Sequence, residues 1–525
     1  MNFNLMYSKK SLLSIIAIIF FAAIQAIAID KEGSFGAKLS YKDKIHVYYV
    51  SNGGSDTNTG TLSSPFQSIN TALGHTLPGD SVIVRGGKYF EKITFPKSGL
   101  QNKNITLKGY KGERPIIDGS KVTVNGWVAL ITISSIKYIS LEGFDICNIT
   151  SNVFNTDPEG ITINGDSHHI TIKNCNIYNI KNNASLANWR SGHAILVIGN
   201  GTGAISNLTI TGCAVHDTQT GTSENVTLAG NIDGFVFKNN KVYDTENIGI
   251  IVAGGDNLNK NGDVATNYAR NGVISDNEFH DNTMTRTPDI WGPTRYGAIS
   301  IYICGGANTI VERNRVYNSD RGIGLVSESN IYATKNIIVR NNLVYNCYRT
   351  GIYMGDYLNY TSGGTNNCYV INNTLFQNDR VLGAFGEIEG ELRLTENCVN
   401  NVISNNLVYS GPTDVFVHKY TSTGSNNTIN NNLYFTAATP QWIWQSKNIT
   451  LTNFNTWKQI STNDANSITG IDPLLQNSAL SDFRIQSASP AKNKGVIIPQ
   501  AINGTSDMGG NPRIVNNQIS IGAYQ

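Results

Sequence analysis

Charge is scarce in this chain. Lys, Arg, Asp and Glu together make up 15% of it and nearly cancel, leaving a formal +2. So sparse a surface offers no global field for nucleic acid or an anionic membrane, and no nucleic-acid partner is expected. Cysteine is scarce as well: seven residues, an odd number, with no CxxC spacing and no neighbouring His. That pattern argues against a zinc site and against a disulfide framework, and the cysteines read as small core residues. Beyond the N-terminal stretch no apolar run is long enough to cross a bilayer.

The composition that remains is rich in Gly, Asn, Thr and Ser, with Val, Ile and Tyr as the main large residues, which is a composition of strands and turns. At the N-terminus, Lys9 and Lys10 precede "SLLSIIAIIFFAAI" and then "QAIAID", where Ala26 and Ala28 form a small-x-small cleavage site. Residues 1–28 therefore read as an export signal, with an uncleaved membrane anchor as the alternative. Export leaves three destinations open: the periplasm, the cell surface or the medium.

The most informative feature is repetition. "NNLVYN" at 341–346 returns as "NNLVYS" at 405–410, and six further phrases, among them "ITIKNCNIYNI", "FVFKNNKVYDT" and "TIVERNRVYNS", follow the same plan. Each is an alternating strand, an Asn, a short apolar strand and a polar turn. The aligned residues are Asn174, Asn240, Asn277, Asn314, Asn342, Asn373, Asn406 and Asn432, at gaps mostly between the mid-twenties and upper thirties. A strand-built period of this length predicts a parallel β-solenoid. Asn suits its corner because it tolerates left-handed geometry and its amide can bond the Asn of the next coil. Before each phrase lies a further strand, in which Ile161, Ile195, Val226, Ile250, Ile301, Ile323, Ile352 and Leu392 form one inward column. Alternation sends the intervening residues outward and predicts an exposed parallel sheet along the coil.

A short helix around 66–75 is expected to cap the first coil, and an irregular C-terminal stretch to cap the last. The chain then divides into a signal segment at 1–28, an N-terminal cap with the first coils at 29–125, the repeats at 126–436, and C-terminal coils with a cap at 437–525. A monomer is expected.

The opening "YYVSNGGSDTNTGTLSSPFQSINTAL", the coils, and the ending "DFRIQSASPAKNKG…DMGGNPRI…IGAYQ" resemble secreted bacterial right-handed parallel β-helix proteins of the pectin-lyase-like superfamily. The nearest group is that of polysaccharide lyase family 9-like proteins, and the resemblance spans essentially the whole chain after the signal. It implies an all-β right-handed parallel β-helix, a polysaccharide partner, and lyase chemistry with Ca²⁺ held by an Asp cluster and a basic residue, usually Lys, as base. The chain departs from that pattern: no adjacent Asp pair occurs in the coils and no Lys falls on the outward columns. Ile251 and Cys304 stand where related chains carry Asp. The Ca²⁺ ligands are therefore not identified.

Several residues carry chemistry by position. Two residues before the inward column stand Glu159, His193 and Glu224, on three adjacent coils, with Arg321 at the same position further on. Two carboxylates two coils apart are roughly 10 Å from each other with an imidazole between them, which suits acid-base work, metal binding, or simply capping of strand starts. In the outward column, Tyr302, Tyr353 and Arg393 are expected to contact sugar, assisted by Glu391 and Asp356. Glu387, Glu389, Glu391 and Glu396 cluster in sequence beside Arg393. The long turns add Trp189 and Arg190, and Asp289, Trp291, Arg295 and Tyr296, which either wall a groove or pack the loops.

Three functions fit. A lyase on a uronate-containing polymer would use Arg190, Arg321 or Arg393 to neutralise the carboxylate and His193 or a Tyr as base. A glycoside hydrolase would use Glu159 with Glu224, or carboxylates of 387–391. A non-catalytic glycan-binding surface protein would need no convergent titratable pair.

Overall fold

The computed structural model describes residues 45–525 except 186–189, 256–257, 259–263, 382–387 and 448. Three sheets of thirteen strands each wind around one axis. Each coil contributes a strand to every sheet in turn, as in Asp157–Asn164, His168–Lys173 and Asn176–Tyr178. Neighbouring coils pair in parallel throughout, until Trp442–Trp444 meets Thr450–Leu451 antiparallel at the end. We call the sheet containing Asp157–Asn164 the groove sheet.

Stacking of like residues builds the core. The inward column runs in register, Ile161 on Ile195, Ile195 on Val226, Val226 on Ile250, Ile250 on Ile301, Ile301 on Ile323, Ile323 on Ile352 and Ile352 on Leu392. All of these side chains are buried in a single apolar cluster inside the coil. β-Branched side chains pack well on a pleated surface, and every coil repeats the same contact about 4.8 Å further on.

The Asn corner differs from expectation by one residue. From Asn240 to Asn432 each amide Nδ2 donates to the Oδ1 of the next Asn, for example Asn277 to Asn314 at 2.9 Å and Asn314 to Asn342 at 3.0 Å. The left-handed backbone belongs instead to the preceding residues, Asn239, Asp276, Arg313, Asn341, Asn372, Asn405 and Asn431. Asn174, at φ 54°, is one of these turn residues and not a member of the ladder. Its ladder neighbour is Cys175, followed by Cys213, whose N–H donates to Asn240 Oδ1 at 2.9 Å. All seven cysteines are buried thiols outside any disulfide.

The N-terminal helix is Ile69–His75, capped by Ser68, with Ile69, Ala72 and Leu73 inserted into the core. At the far end the helix Phe454–Ser461 sets Trp457 against Trp442, ring centroids 6.0 Å apart. Asp464 accepts from Trp457 Nε1 and from the Tyr434 hydroxyl. The last fifty residues then run back along the outside of earlier coils. Arg340 Nη1 donates to the carbonyls of Ala501 and Ile502, Asn405 to Val496, and Ala523 N–H to Thr374 Oγ1. They cover outward apolar residues including Tyr345, Phe376 and Leu407.

The outer face of the groove sheet is not open to solvent as alternation alone predicts. Leu196, Ile251, Tyr302, Tyr353 and Arg393 are all buried. Long connections on both sides of the strands enclose that face, including 284–297 on one side and Glu328 and Tyr357 on the other. Among the described residues no helix is long and apolar enough to cross a membrane.

Candidate functional site

Three groups of side chains lie along the groove sheet. The first is at the strand starts, where Glu159 sits in register with His193. By alternation these residues would face inward with the Ile column two positions on. The ladder is irregular there: the N–H groups of Ala194 and Ile195 both reach the Asn225 carbonyl at 3.0 Å. The side chains of Glu159 and Glu224 turn outward instead. Glu159 accepts a hydrogen bond from Thr162 Oγ1, and Glu224 from Thr227 Oγ1 at 3.1 Å, both threonines lying in the outward column.

Between them His193 is held from both sides, its Nδ1 3.2 Å from Asp157 Oδ1 and its Nε2 3.8 Å from Glu224 Oε2. Burial alone would lower its pKa, but Asp157 and Glu224 outweigh that and push it up to about 10. Ser191 Oγ donates to Asp157 Oδ2 at 2.7 Å and completes the clasp. Glu159 is pushed up to about 7, chiefly by burial, and its Oε1 has no hydrogen-bond partner. Asp157 went unnoticed in the sequence although it stands two residues before Glu159, on the same side of the strand.

The second group is cationic. Glu389 is buried and receives three guanidinium groups: Arg321 at 3.0 Å, Arg393 at 2.5 Å, and Arg349. Burial would raise the carboxyl, but Arg321, Arg393 and Arg349 hold it well below the usual carboxylate range. Three guanidinium groups against the carboxylates of Glu389 and Asp356 leave a local surplus of one positive charge. Glu389 and the three arginines line a cavity of about 390 Å³ together with Tyr353, Asp356, Tyr357 and Tyr420. The Arg321 guanidinium carbon lies 5.4 Å from the centre of the Tyr353 ring, and that of Arg393 5.5 Å from Tyr420. Asp356 is pushed up to about 6 by burial, against the hydrogen bonds its carboxyl accepts from Tyr357 N–H at 3.0 Å, from the Asn397 side chain and from Gly364 N–H.

The third group lines a cavity of about 570 Å³ nearer the strand starts, with Glu224, Trp291, Arg295, Tyr302 and Glu328 among its walls. The Tyr302 hydroxyl donates to Glu328 Oε1 at 2.6 Å, and its ring lies 6.5 Å from that of Tyr353. Tyr357 lines both cavities.

Not every residue singled out in the sequence reaches these cavities. Arg190 is a correction: its guanidinium is fully buried, donating to Glu246 and to the Asn182 carbonyl at 2.8 Å. Glu246 also accepts from Trp291 Nε1 at 2.5 Å and from Gly221 N–H at 2.9 Å, so Arg190 fastens the loop that carries Trp291 instead of touching a ligand. Glu391 is a second correction. Both its oxygens accept from Asn378, at 2.8 and 2.7 Å, and burial pushes it up to about 8; it lines neither cavity. Tyr296 packs its ring on Tyr348 at 4.8 Å. Trp189 and Glu387 lie outside the described residues. Arg349 and Tyr357 were not found from sequence because they belong to connections, where no period marks them.

Among the described residues no three His, Cys, Asp or Glu side chains converge so as to hold a metal ion. Ile251 and Cys304 both lie on the floor of the larger cavity and offer no oxygen to a cation there.

A walled groove on a three-sheet parallel coil defines a β-helix protein, and the family comparisons agree. Residues 48–254 match the family model for the Pel9A-like right-handed β-helix region, and 229–386 that for the right-handed β-helix region. The chain belongs to this family of right-handed β-helix proteins, which it shares with YwoF of Bacillus subtilis (strain 168), itself uncharacterized: 32% identity over 445 residues, 85% of this chain and 92% of that protein. Pectate lyase PEL9 of Emericella nidulans matches over 76 residues at 40% identity, 14% of this chain and 18% of that enzyme. Among solved structures, pectate lyase Pel9A aligns with 14% identity over 91% of this chain and 96% of its own, at a TM-score of 0.36. The GH136 lacto-N-biosidase of Eubacterium ramulus aligns with 13% identity over 81% and 68%, at 0.46.

Proposed function

We propose that the protein is a carbohydrate-active enzyme, a polysaccharide lyase that cleaves a uronate-containing polymer by β-elimination in the cavity around Glu389. The observation that carries this reading is the surplus of guanidinium over carboxylate in the cavity wall, beside three tyrosine rings. A buried positive surplus favours an anionic ligand, and guanidinium matches a carboxylate in shape. The similarity of the N-terminal coils to the Pel9A-like region supports the same direction. The apolar run within residues 1–28 supports export, which would place the reaction outside the cytoplasm.

In this reading Arg321, Arg349 and Arg393 hold the uronate carboxylate and stabilise the charge that develops when the neighbouring proton leaves. Asp356, whose carboxyl lines this cavity, takes the proton from C5; its value of about 6 leaves it ionised at neutral pH, yet basic enough to act. The C4–O bond breaks, the electron pair forms the C4=C5 double bond, and the leaving oxygen takes a proton from solvent or a tyrosine hydroxyl. His193 is not the base, because clamped between Asp157 and Glu224 it carries its proton at neutral pH.

A second reading rests on one specific observation: Glu159, raised to about 7, with Glu224 two coils away across His193. That is an acid and a carboxylate roughly 10 Å apart by strand spacing, near the upper end for an inverting hydrolase. Incubation with uronate polymers, reading unsaturated product and new reducing ends in parallel, separates the two. Both signals, lost in Asp356→Asn, are the result expected of the lyase. Reducing ends without unsaturation, lost in Glu159→Gln, would replace it with the hydrolase.

A further inference from the structure

The larger cavity has a floor unlike that of its neighbour. Ile251, Ala253, Ile299, Tyr302 and Cys304 lie on adjacent strands, Ile251 in register with Tyr302, and belong to an apolar cluster separate from the core inside the coil. Its other buried members are Ala229, Val326 and Tyr353, and the last two carry the cluster to the edge of the cationic cavity, where Tyr357 lines both spaces. A sheet face meant only for solvent would be polar at these positions. The rings of Trp291, Tyr302 and Tyr357 line the cavity and offer stacking surfaces to a sugar. Here the floor is mostly aliphatic and sulfur-bearing, while hydrogen-bonding groups, Glu224, Asn247, Arg295 and Glu328, stand around it. That arrangement holds a sugar by its hydroxyls at the walls and buries a small aliphatic group at the bottom.

We propose that this cavity is a subsite for a sugar bearing a methyl group, supplied either by an O-acetyl ester or by the C6 methyl of a 6-deoxyhexose, positioned beside the uronate that occupies the cationic cavity. The inference rests on the acidic-polymer reading of that neighbouring cavity. Tyr302 and Tyr353 lie two strands apart on the groove sheet with ring centroids 6.5 Å apart, which sets the two cavities side by side along the axis. The substrate is accordingly a modified or mixed acidic polysaccharide, not a plain homopolymer of uronate. One methyl group seated against an apolar floor discriminates by about tenfold or more.

The test is titration calorimetry with three oligosaccharides of equal length: a plain homouronan, its O-acetylated form, and one alternating uronate with 6-deoxyhexose. The wild type is expected to bind at least one methyl-bearing ligand about tenfold or more tighter than plain homouronan, and which one it prefers identifies the source of the methyl. In Ile251→Ser that ratio falls toward one. Cys304→Ser, a smaller change on the same floor, moves it in the same direction and serves if the first variant does not fold. Plain homouronan bound as tightly as both modified ligands, with binding abolished in Arg393→Met, would overturn the methyl subsite and leave the acidic-polymer reading standing. A preference unchanged in both floor variants would overturn the subsite as well. Failure of all three ligands to bind would overturn both.

Discussion

Glu389 shows most clearly how a single side chain sets the character of this groove. With its carboxylate present, Arg321, Arg349 and Arg393 are held together around a buried carboxyl; without it they repel one another in a wall where Arg349 and Arg393 are themselves buried. Glu389→Gln is therefore expected to destabilise the fold by about 3–5 kcal/mol, the usual effect of breaking a buried ion pair, while uronan binding does not weaken. Chemical denaturation and calorimetry on the same sample check both halves. Asp356 is expected to give kcat/KM an acid limb that rises through about pH 6, measurable with a uronan substrate and absent in Asp356→Asn. The strand-start group governs stability instead. The raised value of His193 means that its contribution is complete below its ordinary pKa and is lost as pH rises through about 10. Glu159 works in the opposite sense to an ordinary paired carboxylate. Its folded form holds the proton up to about 7, so it costs stability progressively as pH rises from its ordinary value to that point. Glu159→Gln should accordingly raise the thermal midpoint at pH 8, by at most about 3 kcal/mol of stability, and give no such gain at pH 4.

At the scale of the coil, two jobs are divided between consecutive residues of each corner. The first residue turns left-handed, and the second bonds upward and downward. Asn314 accepts from the N–H of Asn277 and donates to the Ile274 carbonyl, both buried. Asn314→Ala leaves these two groups without partners and is expected to cost about 2–4 kcal/mol in urea denaturation. Asn174→Ala, at a turn position, should cost only the left-handed strain of about 1–2 kcal/mol. The repeat made the solenoid legible because an inward Ile every coil leaves a period in the sequence. It did not reveal which Asn does which job, since "KNC" and "KNN" align equally well by eye while their roles differ by one position. Alternation also placed Glu159, His193 and Glu224 at the strand starts, but it aims them inward, whereas Glu159 and Glu224 turn out to accept from Thr162 and Thr227. Arg349 and Tyr357 enter the site from connections, so the periodic count that found Tyr353 and Arg393 passed over them. The buried state of Arg190 depends on Glu246, fifty-six residues away, and a charged residue in a loop gives no sign of that.

Taken whole, the described coils form one continuous core, with each strand dependent on its neighbours, and the C-terminal residues act as a clasp over the outer face of the middle coils instead of a lid on the last one. Removing residues 472–525 uncovers Tyr345, Phe376 and Leu407 and orphans the bonds of Arg340 and Asn405. That truncation is expected to lower the thermal midpoint and to raise light scattering on heating. Along the groove sheet the same stacking that builds the core sets a clasped histidine, an aliphatic-floored cavity and a cationic cavity in one line, a layout suited to a linear polymer whose units differ in chemistry. The central claim is that the guanidinium surplus around Glu389 recognises sugar carboxylates. The most direct measurement is calorimetric binding of one uronan oligosaccharide before and after chemical reduction of its carboxylates to alcohols, with wild type and Arg393→Met. Binding of the acidic form alone, weakened at least about tenfold in the variant and by added salt, is the predicted result. Equal binding of the acidic and the reduced oligosaccharide would contradict it.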